Sequence, residues 1–97
     1  MVVRRVVQEM LTNALRHGVP GAAIEFREAW RSGDVVLEVE NQVVATPTSG
    51  GGLGVEGMRS RVAAVGGFLE AEALDGVFTA RARIPLPAAN DVLTEDA

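Results

Sequence analysis

The sequence predicts a two-layer α/β sandwich, with helices packed on one face of a sheet. Three observations carry that expectation. Apolar residues recur at helical spacing in two separate segments, two-residue alternation marks others, and a hairpin-forming dipeptide joins the last pair of strands. The order is helix, two strands, loop, helix, two strands, and each helix carries one apolar stripe that needs a sheet beneath it. No internal repeat or linker interrupts this order.

The first helix is expected over residues 2–17. Val3, Val6, Val7, Met10 and Ala14, with Leu11 and Leu15 beside them, make an apolar face at helical spacing. Valines at 2, 3, 6 and 7 lower its intrinsic propensity, so packing must hold it. Gly18 and Pro20 end it. Strands follow over 22–30 and 34–40, joined by the turn Arg31-Ser32-Gly33-Asp34. In the second, Val35, Leu37 and Val39 point one way while Glu38 and Glu40 point the other, as in a half-buried strand.

Residues 42–54 hold Pro47, two threonines and a glycine run without any period, and read as a loop. The second helix is expected over 55–65, with Val55, Met58, Val62 and Val65 along one stripe. Gly66-Gly67 stops it, Gly66 in the left-handed conformation. Strands over 68–74 and 77–84 flank Asp75-Gly76, a strong hairpin signal. Phe78, Ala80, Ala82 and Ile84 are expected inside, with Thr79, Arg81 and Arg83 in water. Pro85 and Pro87 close the sheet. The folded domain is therefore expected over 1–86, and 87–97 reads as an acidic, disordered tail.

Composition narrows the function classes. Ninety-seven residues make one domain, and 47% hydrophobic with 23% charged residues is the balance of a globular chain. The longest uncharged stretch is rich in Gly, Pro and Thr, so no transmembrane segment is expected. Arg4, Arg5 and Glu9 break the N-terminal apolar run, unlike a signal peptide. Absence of cysteine excludes disulfide and thiolate chemistry. A net charge of -4 with no dominant basic patch argues against nucleic acid as a partner. These features together predict a cytoplasmic domain without membrane contact of its own.

Two segments carry the chemistry. Glu9 and Asn13 lie four apart and so project from one helical face. A carboxamide oxygen is a hard ligand suited to Mg²⁺ on phosphate oxygens, and a carboxylate nearby can accept or orient a proton. Arg16 and His17 end the same helix, where the macrodipole alone favours cations. As the only histidine, His17 cannot build a multi-histidine metal site. The second segment runs from Gly50 through Gly52-Leu53-Gly54-Val55-Glu56-Gly57 into a helix. Its glycines permit close backbone approach, and the helix N-terminus offers free N–H groups to anionic oxygens. It is not a Walker A loop, because no Gly-Lys-Ser/Thr follows, and no βαβ unit supports a dinucleotide fingerprint. A phosphate-bearing nucleotide is the ligand these two segments suggest together.

Both segments resemble those of a known family, the ATP-binding catalytic domain of sensor histidine kinases within the Bergerat-fold (GHKL) ATPases. Val6-Val7-Gln8-Glu9-Met10-Leu11-Thr12-Asn13-Ala14-Leu15-Arg16-His17 is similar to its N-box. Gly52-Leu53-Gly54-Val55-Glu56-Gly57-Met58-Arg59-Ser60-Arg61-Val62, followed by Gly66-Gly67, is similar to its second glycine box. The G-M-R-x-R-V portion resembles the subfamily of nitrate sensors and desaturase thermosensors, whose response regulators carry LuxR-like DNA-binding domains. The resemblance covers residues 2 to about 86.

It implies the Bergerat ATP-binding fold, a mixed sheet covered on one face by helices, with ATP and Mg²⁺ as cofactors. It implies that Asn13 coordinates Mg²⁺, that Glu9 is the catalytic carboxylate, and that Arg16 and His17 lie near the phosphates or ribose. Residues 42–53 would form an ATP lid, with Gly52, Leu53, Gly54 and Val55 at the nucleotide. The partners implied are a histidine-bearing dimerisation domain and, downstream, a response regulator. Where the family has an adenine-reading D-x-G-x-G, this chain has Asn41-Gln42-Val43-Val44-Ala45. Asn41 would accept the adenine amino proton as a neutral acceptor, weaker than a carboxylate. Comparable domains also have a strand ahead of the N-box helix, so the resemblance implies a fragment of a longer sensor, lacking that strand. Alternatives are a serine kinase of the anti-sigma-factor type, which Gly57-Met58-Arg59 weighs against, and a degenerate non-catalytic module.

Overall fold

The computed structural model describes residues 2–44 and 55–86. Two helices, α1 (Val2–His17) and α2 (Val55–Ala63), pack on one face of a four-stranded sheet. The strands are β1 (Ile24–Trp30), β2 (Asp34–Gln42), β3 (Phe68–Leu74) and β4 (Val77–Pro85). They lie in the order β1-β2-β4-β3, and all three pairings are antiparallel, so the described sheet is antiparallel throughout and not the mixed sheet that the resemblance implies. This is the α/β sandwich expected from the alternation of the strands and the single apolar stripe of each helix. Among the described residues, no helix is long and apolar enough to cross a membrane.

The core lies between the layers. Val35, Leu37 and Val39 of β2 sit opposite Ile84, Ala82 and Ala80 of β4, and all six are buried. Above them α1 inserts Val3, Val6, Met10 and Ala14, and α2 inserts Met58 and Val62. Each fully buried side chain of this size contributes roughly 1.5–3 kcal/mol through area removed from water. Helix α1 rests chiefly on β2 and α2 on β3. The outer part of β1 therefore has no helix over it, and Trp30 stays 53% exposed.

The turns follow their residues. Asp75 and Gly76 both have positive φ, 52° and 78°, the pairing a tight type I′ hairpin needs. Gly66 has φ 80° and ends α2, with the Gly67 N–H bonded to the Val62 carbonyl at 2.9 Å. Between β1 and β2, the Arg31 N–H donates to the Asp34 carbonyl at 2.8 Å. Its guanidinium also grips both Asp34 carboxylate oxygens, at 2.6 and 2.7 Å. Hydrogen bonding from Arg31 holds the Asp34 carboxyl below the usual carboxylate range, against an opposing desolvation effect.

Four details differ from expectation. Leu15 is 74% exposed, because it stands 100° round the helix from Ala14, away from the sheet. Helix α2 stops at Ala63, and Val65 falls in the terminal turn, exposed. Strand β1 starts at Ile24, since Ala22 is bonded back to the Val19 carbonyl. Strand β2 runs on to Gln42, because β4 offers Val77 and Phe78 as partners for Gln42 and Asn41. The expected loop thus loses its first residue to the sheet; residues 45–54 of it, and the tail 87–97, lie outside the described residues.

Candidate functional site

One flank of α1, beside its buried stripe, forms a groove of about 440 Å³. Arg5, Gln8, Glu9, Thr12, Asn13 and Arg16 line it from α1, and Met58 closes it from α2. Positions 5, 9, 13 and 16 align because successive helical turns stack residues three and four apart. Glu9 and Asn13 are half-buried, while Arg5 and Arg16 are exposed at its two ends. The volume falls in the range of small-molecule sites. The expected site residues Glu9, Asn13 and Arg16 thus share one concave surface. Arg5, Gln8 and Thr12 join them unanticipated, although Arg5 stands one turn before Glu9 and was legible from spacing.

The two motif segments meet at an ion pair. The Arg61 Nε of α2 donates to both Glu9 oxygens, at 2.6 and 3.0 Å, across 52 positions of sequence. Arg59 instead turns back along its own helix to Glu56, at 2.7 Å. No sequence signal indicates the first contact, since it depends on which face of α2 meets α1.

Asn41 lies beneath the C-terminal end of α1. The alternation that buries Val35, Leu37 and Val39 carries Asn41 onto the same inner face, 4% exposed. Among the described residues it is the one buried polar side chain. Its Nδ2 donates to the Gln42 carbonyl at 3.4 Å, and its buried Oδ1 has no partner. A buried acceptor left unsatisfied costs about 1–3 kcal/mol, and Oδ1 is open to a donor that reaches it. Gly18 makes room for it: a Cβ there would meet the Asn41 Nδ2 at 2.9 Å and the Ala14 carbonyl. A small cavity of about 80 Å³ opens there, with Ala14, Gly18, Ile24 and Asn41 in its wall.

His17 is half-buried as the last residue of α1, and Val55 is half-buried as the first of α2, packed against the core. Gly52, Leu53 and Gly54 lie outside the described residues. Among the described residues no cluster of three or more His, Cys, Asp or Glu could hold a metal ion by itself. Mg²⁺ carried on a phosphate keeps waters and phosphate oxygens and needs only one or two protein ligands, of which the Asn13 carboxamide oxygen in the groove can be one. The unpartnered Asn41 oxygen and the single carboxamide of Asn13 both fit a magnesium nucleotide.

No family model matches the sequence, and no curated protein matches it. Solved structures do. The blue-light activated histidine kinase EL346 of Erythrobacter litoralis superimposes with a TM-score of 0.72 at 24% identity, over 93% of this chain and 31% of that one. The histidine kinase AdeS of Acinetobacter baumannii gives 0.67 at 17% identity, over 87% of this chain and 45% of that one. The catalytic domain of the histidine kinase ThkA gives 0.64 at 18%, over 87% of this chain and 65% of that one. The chain thus spans less than two thirds of each of these structures. These superpositions show that the chain has the Bergerat fold of these histidine-kinase structures.

Proposed function

We propose that this chain is the ATP-binding catalytic domain of a two-component sensor histidine kinase, serving a histidine on a separate dimerisation domain and, through it, a response regulator. The observation that carries this reading is that α1 joins a groove bearing Glu9, Asn13 and Arg16 to the buried, unpartnered oxygen of Asn41 at its C-terminal end. ATP with Mg²⁺, when bound, supplies the phosphoryl group. Asn41 Oδ1 would accept the adenine amino proton. Asn13 would hold the magnesium through its carboxamide oxygen. Arg16 would offset phosphate charge, and His17 would lie near the phosphates or ribose. Gly52, Leu53, Gly54 and Val55 would border the phosphates as the loop enters α2. Glu9 would orient the accepting imidazole and take up its proton at a carboxylate oxygen. Positioning and charge neutralisation are the main demands of phosphoryl transfer, and these residues are of the types that supply them.

Asn41→Asp tests the adenine assignment. A charged acceptor strengthens the bond to the adenine amino group, so preference for ATP over GTP is expected to rise about fivefold. Without nucleotide, the same substitution is expected to lower the melting temperature, since it buries an unpartnered carboxylate. Competitive binding of the two nucleotides measures the first effect and a thermal melt the second. An unchanged ATP-over-GTP preference removes Asn41 from the base-reading role.

A further inference from the structure

We propose that Arg61 is a positioning residue whose charge cancels that of Glu9, so that a polyphosphate can occupy the α1 groove beside a carboxylate. The inference rests on the nucleotide-binding reading above and adds to it a residue that touches no ligand. Glu9 lines the groove with its side chain 28% exposed, and an anion there opposes any phosphate entering alongside. Its counter-charge arrives from the other helix, with Arg61 Nε at 2.6 and 3.0 Å from the two oxygens. Arg61 is not among the side chains lining the groove and reaches it through its contact with Glu9.

Nearby cations do not duplicate this role. Arg5 stands one turn before Glu9 on the same face, yet makes no ion pair among the described residues. Arg59 is held by Glu56. The carboxylate is thus turned toward α2, which also contributes Met58 to the groove. The pair is partly exposed, at 40% for Arg61, so screening keeps its effect moderate.

The test titrates this chain, in the presence of Mg²⁺, with a non-hydrolysable ATP analogue, ADP and adenosine. Arg61→Ala is expected to weaken the triphosphate analogue about tenfold, ADP less, and adenosine not measurably, the order set by ligand charge. Arg61→Lys restores most of the loss. Glu9→Gln combined with Arg61→Ala returns triphosphate affinity to within about twofold of Glu9→Gln alone, because no carboxylate charge remains to cancel. Equal loss for all three ligands overturns the proposal, since it marks Arg61 as a support for helix docking. A double variant as weak as Arg61→Ala also overturns it, since Arg61 would then bind phosphate itself. Should Arg61→Ala fail to fold, the comparison of Glu9→Gln with the double variant still decides. Failure of the unsubstituted chain to bind any of the three is a separate result, which overturns the nucleotide reading and this inference with it.

Discussion

Asn13→Ala is expected to abolish magnesium-dependent nucleotide binding, with affinity falling by more than about tenfold while the fold is kept. The reason is chemical: alanine has no oxygen for the metal, and Glu9, the carboxylate one turn away in the same groove, is already paired with Arg61. The fold should tolerate the change. Asn13 is only half-buried on the groove flank, outside the stripe of Val3, Val6, Met10 and Ala14 that meets the sheet. Substitutions at such positions usually cost within about 0.5 kcal/mol, or roughly 3 °C of melting temperature in a domain of this size. Calorimetry and a thermal melt on the same preparation separate the two effects. A melting temperature lowered by about 10 °C or more would identify Asn13 as structural.

Gly18→Ala is expected to damage stability and site together. No space exists for a methyl group there: the Ala14 carbonyl, the Asn41 Nδ2 at 2.9 Å and the Gln42 carbonyl at 3.4 Å surround it. Two of these three are backbone and cannot swing aside. Gly18 is itself fixed, its N–H bonded to the Ala14 carbonyl at 2.8 Å and its backbone bridged to Val43. Overpacking of this kind costs roughly 1–3 kcal/mol. The Asn41 amide must also shift, so adenosine affinity should fall with stability. Gly57→Ala is the control, because a Cβ there meets nothing within 4 Å and α2 gains a better helix former. Urea denaturation should rank Gly57→Ala at or above the unsubstituted chain and Gly18→Ala well below. Equal stability for both variants would show that the contact beneath α1 is not tight.

These expectations separate what local chemistry reveals from what only the assembled fold can. The stripe Val3, Val6, Met10, Ala14 and the alternation of β2 and β4 were legible because helix and strand periods are local properties. So was the type I′ turn at Asp75-Gly76, whose residues tolerate positive φ. The motif residues Glu9, Asn13 and Arg16 could be placed on one flank from spacing alone. Leu15 and Val65 were expected on the apolar faces and are exposed, because apolar character does not say which side of a helix stripe the sheet reaches. The last two residues of β2 were hidden by their polar composition; pairing with Phe78 and Val77 extends the strand there. The Glu9–Arg61 contact was hidden for a related reason. It joins helices 52 positions apart, and its existence depends on how α2 is rotated against α1.

The central claim is that the α1 groove and the separate small cavity at Asn41, beneath the C-terminal end of α1, together serve one magnesium nucleotide. Calorimetric titration of this chain with ADP and with a non-hydrolysable ATP analogue, in the presence and absence of Mg²⁺, tests it most directly. Saturable heat that requires Mg²⁺, together with a rise in melting temperature at saturating ligand, is the predicted result. Absence of heat at every nucleotide concentration, with a melting temperature that nucleotide and Mg²⁺ leave unmoved, would contradict it.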